Sequence, residues 1–281
     1  MVVHVVQSST TVEGAQFIAA VDEVLVAEDE LPQRVAFDCE GVNLSRIGSV
    51  EVVSIWFPST EVFLVDLGGT TVDPDILRAL QSLFESKIVT KVIHDCRMDC
   101  DALFHLHGIR LVNIHDTSCF HHAITGHEDK NLNYVLEYNN VAVNVSRDNS
   151  VYRSNPRFWA TRPMTQKMID WASSDVDKLI PLAEKQLECI SVNKKAIAIQ
   201  KSTAFASEAR DMKVARGLKV QNTGSFIGRG GSNIRSLQKL TGTIIYSEKP
   251  LNSWFVYYNS DDALSSVKRK MSSGSSYAYG Y

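Results

Sequence analysis

The chain has 281 residues, 44% of them hydrophobic, and a formal net charge of -3. That apolar content excludes wholesale disorder, and no run approaches the roughly 18 apolar residues of a membrane-spanning helix. Five scattered cysteines, an odd number, exclude a disulfide framework. The opening Met1–Ser8 lacks the basic start and apolar length of a secretory signal. The expectation is a reducing, intracellular compartment, the cytoplasm ahead of the nucleus.

Charge is divided unevenly. From Ser207 onward there are 11 Lys/Arg against 5 Asp/Glu, while residues 1–206 hold 18 against 27. An acidic body followed by a basic C-terminal part predicts two modules with different tasks.

In chain order, Val2–Val6 reads as a strand. A helix follows Ser8–Thr11, with Phe17, Ile18, Val21 and Val24 on one side. Val35–Asp38, Val50–Phe57 and Val62–Leu67 are β-rich runs that predict a three-stranded meander. Asp73-Pro74 starts a helix as cap and first helical residue. Val89–Ile93 is a strand, followed by a helix ending near Gly108, and Val112–Ile114 is a short strand. Lys130–Arg162 is polar and irregular, suited to lining a groove. A long helix begins near Thr165, with Ile169, Ala172, Val176, Leu179 and Ala183 on one face and Pro181 kinking its far end. Alternating strands and helices define an α/β body.

Residues 191–206 read as a partly helical linker. A second unit follows: strand Val214–Val220, short helix Asn222–Ile227, Gly-rich loop 228–231, helix Ser232–Leu240, strands Thr243–Ser247 and Trp254–Tyr258, and helix Asp262–Met271. The tail, 272–281, is rich in Ser, Gly and Tyr and reads as disordered.

Three acidic motifs carry chemistry. Asp38 and Glu40 flank Cys39 at the end of an apolar strand. Residues i and i+2 share a strand face about 7 Å apart, so the two carboxylates repel unless a cation lies between them. A solvated strand end is the plainer alternative. His94-Asp-Cys-Arg-Met-Asp-Cys-Asp101 begins where a strand gives way to a helix. Its three aspartates are also favoured there by the helix dipole alone, and spacing does not choose among them. Asp175 lies between core positions Ala172 and Val176, one helical turn from Trp171. An unpaired carboxylate at that boundary is costly, and a metal ion removes the cost.

In this order the three motifs resemble the DEDD superfamily of 3′–5′ exonucleases, which has a ribonuclease H-like fold with a mixed sheet. The resemblance covers 1–190. Trp171-Ala-Ser-Ser-Asp175-Val, with Pro181 beyond it, looks like the ribonuclease D branch. Asp38-Cys-Glu-Gly-Val-Asn-Leu and Lys91-Val-Ile-His-Asp-Cys-Arg look closer still to Egalitarian-like exonuclease-domain proteins. The resemblance selects Asp99 from the second motif. It implies metal ligands at Asp38, Glu40, Asp99 and Asp175, two Mg²⁺ or Mn²⁺ ions, and release of nucleoside 5′-monophosphates from RNA. Carboxylate oxygens suit those hard ions.

One departure bears on activity. The ribonuclease D branch has Tyr where this chain has Trp171, and an indole N–H cannot accept a proton. Another branch uses His at the position of Asp170, which reads here as an exposed helix residue. Slow turnover is implied, and an RNA-binding adaptor that keeps the fold without cutting is the alternative. A structural zinc is disfavoured, because the histidines and cysteines between His94 and His127 show no finger spacing.

Ile227-Gly-Arg-Gly-Gly-Ser-Asn-Ile234, placed between two helices and followed by two strands, resembles a KH domain of type I, a small α+β fold, over 207–271. The resemblance implies that Gly228, Arg229, Gly230 and Gly231 clamp about four single-stranded nucleotides. Trp254, Tyr257 and Tyr258 are either stacking platforms or strand packing. The partner expected is single-stranded RNA, with single-stranded DNA, a second copy of the chain or a protein adaptor partner as further expectations, and no membrane.

Overall fold

A sheet covered on both faces is built from near-continuous apolar runs, and the first unit is organised in that way. The structure, a computed structural model, describes residues 2–26, 33–57, 61–69, 71–128, 130–248 and 253–273. The chain divides into two compact units, Met1–Arg210 and Asp211–Tyr281.

In the first unit six strands form one mixed sheet: β1 (Val2–Val6), β2 (Arg34–Glu40), β3 (Val52–Trp56), β4 (Glu61–Asp66), β5 (Thr90–Ile93) and β6 (Ile114–Asp116). Their order is β1-β4-β3-β2-β5-β6. The meander β2-β3-β4 is antiparallel, with Asp38 opposite Ser54 and Glu40 opposite Val52. β1, β5 and β6 join in parallel.

The two sheet faces differ in what covers them. Val35, Phe37 and Cys39 of β2 pack with Phe17 and Val21 of α1 (Val12–Val26), Leu80 and Leu83 of α2 (Pro74–Glu85), and Leu103 of α3 (Arg97–His107). Ala36, Val52, Leu64 and Val92 face the other way. They pack with Val135 of α5 (Leu132–Tyr138), Trp171 and Val176 of α7 (Gln166–Val176) and Leu182 of α8 (Leu179–Cys189). Asp38 and Glu40 continue the Ala36 parity, so the strand aims both carboxylates at the α7 side. α4 (Thr117–Thr125) starts directly after β6, its N-terminus capped by Asp116.

Three segments differ from the sequence expectation. The single long helix with a kink at Pro181 is two helices, α7 and α8, separated at Asp177 and Lys178. Pro181 therefore sits in the first turn of α8, where its missing N–H costs nothing. The segment read as a linker is most of a 20-residue helix, α9 (Val192–Asp211), assigned to the first unit as far as Arg210. Its buried positions are Ala198, Ser202, Ala206 and Ala209, small residues that give the sequence no apolar stripe to read. Lys130–Arg162 is less irregular than expected: it holds α5 and the short α6 (Val151–Ser154), and it buries Phe158 and Trp159.

The second unit runs β7 (Lys213–Leu218), α10 (Thr223–Ile227), α11 (Ser232–Thr241), β8 (Ile244–Glu248), β9 (Ser253–Tyr258) and α12 (Asp261–Ser272). Its antiparallel sheet has the order β7-β9-β8. Phe226, Ile245, Trp254, Val256, Leu264, Val267 and Met271 form its core. Residues 274–281, most of the segment read as a disordered tail, lie outside the described residues.

Candidate active site

β2 and β5 run parallel, Ala36 beside Val92, so both strands end at the same edge of the sheet. Sites in α/β sheets form beyond such strand ends. Asp38 and Glu40 come from the end of β2, and Asp99 from the first turn of α3 just after β5. Asp175 comes from the last turn of α7.

Asp38, Glu40 and Asp175 converge: each offers a carboxylate oxygen within 4.8 Å of the other two. Asp99 lies beside this trio but outside it. Its Oδ1 accepts the Cys39 backbone N–H at 3.1 Å, so it grips the peptide between Asp38 and Glu40. The structure thus gathers three of the four expected carboxylates and places the fourth against their strand.

The electrostatics are unfavourable for bare carboxylates. Burial, followed by the charges of Glu40, Asp99 and Asp175, raises the Asp38 pKa well above its usual range. Burial and Asp175 do the same to Glu40. Burial also raises Asp175 and pushes Asp99 up to about 7. Two buried oxygens of the trio, Glu40 Oε1 and Asp175 Oδ2, have no hydrogen-bond donor. Hard oxygens, clustered and lacking donors, fit a divalent cation. Asp38, Glu40 and Asp175 could hold it, with Asp99 close enough to support them.

Trp171 is 1% exposed and lies one helical turn before Asp175, its side chain close enough to act on that carboxyl. Its ring meets Trp159 at 5.5 Å, Tyr152 at 5.9 Å and Phe158 at 6.0 Å between centroids. The indole N–H makes no hydrogen bond of normal geometry, although it helps to lower the Asp175 pKa. Asp170 faces outward and accepts from Gln166 Nε2 at 2.8 Å.

Sequence reasoning missed several supporting residues. Asn144 Nδ2 donates to Asp175 Oδ1 at 2.9 Å and to the Trp171 carbonyl at 3.2 Å. Arg147 pairs with Asp175 Oδ2. Arg162 binds Asp66 at 2.6 Å and the Trp159 carbonyl at 2.6 Å, fastening the Phe158–Ala160 turn to the end of β4. Buried Asp116 accepts the N–H groups of Asp95 and Cys96 at 3.0 and 2.8 Å, fixing the approach to α3. Apart from the local Arg162–Trp159 bond, these contacts join residues distant in sequence and carry no local pattern.

In the second unit, Gly228, Gly230 and Gly231 all have positive φ, at 75°, 56° and 81°. This is backbone that side-chain-bearing residues avoid. A Cβ on Gly228 would stand 2.9 Å from the Asn233 backbone nitrogen, whereas one on Gly230 would meet nothing within 4 Å. Arg229 and Gly230 are exposed at the loop's tip. Trp254 and Tyr257 are buried and serve the core, so they are packing and not stacking platforms.

A mixed sheet of this order, with carboxylates converging at the end of β2 and on the helix opposite, is the arrangement of an exonuclease domain of ribonuclease H-like fold. The chain belongs to the 3′–5′ exonuclease family, whose model matches residues 13–203. A KH domain model matches 218–262. The chain is 25% identical over 159 residues to the mouse (Mus musculus) piRNA biogenesis protein EXD1, covering 51% of this chain and 27% of that protein. It therefore spans well under half the length of the curated relative.

Solved structures share the fold. RNase D from Trypanosoma brucei superposes with a TM-score of 0.61 at 21% identity, over 74% of this chain and 72% of that one. Its complex with RNA U12 gives 0.59 at 22%, over 74% and 70%. Brucella melitensis NrnC with bound Mg²⁺ gives 0.54 at 17%, over 74% and 91%. No helix among the described residues is long and apolar enough to cross a membrane.

Proposed function

We propose that this protein is a 3′–5′ exoribonuclease in which a KH domain holds single-stranded RNA and the carboxylate site hydrolyses its 3′ end. The observation that carries the proposal is the convergence of Asp38, Glu40 and Asp175, with two buried oxygens lacking donors. Family membership and the RNA-bound and Mg²⁺-bound structural relatives support it.

Asp38, Glu40 and Asp175 would hold Mg²⁺ or Mn²⁺, with Asp99 completing the set expected for two ions. The ions would supply Lewis-acid activation of a water and stabilise the leaving oxygen of an in-line displacement at phosphorus. The protein contributes position. Asn144 fixes the rotation of the Asp175 carboxylate, and the Asp99–Cys39 bond fixes the end of β2. Trp171 lies one turn from Asp175 but provides no hydroxyl to orient water, which sets turnover below what a Tyr would allow. The raised carboxyl pKa values couple ion binding to proton release, so activity rises with pH through the neutral range.

The glycine loop of the KH domain lets a sugar–phosphate backbone approach closely, with Arg229 beside it. Capture there raises the local concentration of an RNA end at the carboxylates. Incubating the full chain with 3′-labelled single-stranded RNA and Mn²⁺ tests the proposal. Labelled nucleoside 5′-monophosphate is the product expected. RNA bound without any release of mononucleotide identifies an adaptor instead.

A further inference from the structure

The carboxylate trio comes with a cation of its own. Arg147 lies between α5 and α6, and its Nη2 stands 3.8 Å from Asp175 Oδ2, within ion-pair range but too far for a hydrogen bond. Its guanidinium carbon is 5.9 Å from the centroid of the Trp171 ring. Its charge acts on Asp38, Glu40 and Asp175 together, holding their pKa values down against burial. The Arg147 side chain is 31% exposed and that of Asp175 is 1% exposed, so the guanidinium bridges from the buried carboxylates to solvent. A divalent ion taking Asp175 Oδ2 and Glu40 Oε1 would bring two further positive charges within a few ångströms of it. Like charges at that range repel, and the arginine is the group with solvent to move into.

We propose that Arg147 is the counter-ion of the ion-free site and a phosphate-binding residue of the ion-loaded one. Released from Asp175, its planar fork matches the non-bridging oxygens of a nucleotide phosphate at the mouth of the site. The inference rests on Asp38, Glu40 and Asp175 being ion ligands, but not on turnover.

The test is a Mn²⁺ titration of the full chain at pH 8, where protons compete least, read by the loss of free-ion paramagnetic resonance signal. An Asp38→Asn control assigns the site. Arg147→Gln is expected to bind Mn²⁺ about tenfold more tightly than wild type, and Arg147→Lys close to wild type. With Mn²⁺ saturating, Arg147→Gln is expected to bind uridine 5′-monophosphate about tenfold more weakly. Equal Mn²⁺ affinity in wild type and Arg147→Gln, both folded, overturns the counter-ion role and leaves the ion site standing. Unchanged nucleotide affinity overturns the phosphate role. No Mn²⁺ binding at the Asp38 site in any protein overturns the ion-ligand reading, and this inference with it.

Discussion

The Asp99 carboxylate accepts the backbone N–H of Cys39 at 3.1 Å, and Cys39 is the residue between Asp38 and Glu40. The first turn of α3 is thereby tied to the strand end that carries two of the three converging carboxylates. The bond also keeps a buried acid near other acids, and stability at different pH values reflects that.

Burial raises the Asp99 pKa to about 7, above its unfolded value of about 3.9. Between these values the folded state binds the extra proton, so this group's stabilising contribution is complete at low pH. It is lost as pH rises through about 7. In EDTA, Asp99→Asn, which keeps an acceptor for Cys39, should match wild type near pH 4. At pH 8 it should melt about 5 °C higher. A wild-type advantage at pH 8 without ions would contradict this electrostatic account.

Asp38→Asn should lower mononucleotide release by about 10²–10³-fold. RNA affinity should stay within about twofold, because the KH loop is untouched. Kinetics with labelled RNA and filter binding on the same preparations check both. A parallel loss of binding would show that the substitution disturbs more than the site.

Trp171→Tyr should raise turnover about tenfold by supplying a hydroxyl beside Asp175. It should also lower stability by about 2 kcal/mol, since a smaller ring leaves a gap against Trp159, Tyr152 and Phe158. Single-turnover rates and denaturant melts separate the two effects. Unchanged or lower turnover in the folded variant would show that the missing hydroxyl does not limit the reaction.

What could be read beforehand follows from the range of each interaction. Strand alternation through Val35–Glu40 is local, so the shared face of Asp38 and Glu40 was legible, as were the meander and the βααββα order of the second unit. The division of α7 from α8 was not, because Asp177 and Lys178 break no periodicity and the one helix-breaking residue, Pro181, lies beyond the division. α9 was hidden because its buried face is built of Ala and Ser. Asn144 and Arg147 reach Asp175 across about 30 residues of sequence, and no spacing rule connects such positions. Asp99 was chosen by resemblance. Its hydrogen bond to Cys39, and its place beside the trio and not within it, came only from the structure.

The glycine loop offers a paired test. Gly230→Asp places a carboxylate in open space at the tip proposed to meet phosphate, and should weaken single-stranded RNA binding about tenfold with little change in melting. Gly228→Ala would drive a methyl group against the Asn233 backbone in a positive-φ conformation, and should destabilise the second unit by about 1–3 kcal/mol. Calorimetry and RNA titration of the two variants distinguish recognition from folding. Unchanged RNA affinity in Gly230→Asp would count against the loop as the RNA clamp.

The most direct test of the central claim uses 5′-labelled single-stranded RNA with a free 3′ hydroxyl, incubated with the full chain and Mn²⁺. The carboxylate site predicts a ladder shortened one nucleotide at a time from the 3′ end by the wild type. The ladder should be absent with Asp38→Asn, although that variant still binds the RNA. Intact RNA in the presence of bound wild-type protein, or the same ladder from Asp38→Asn, would contradict it.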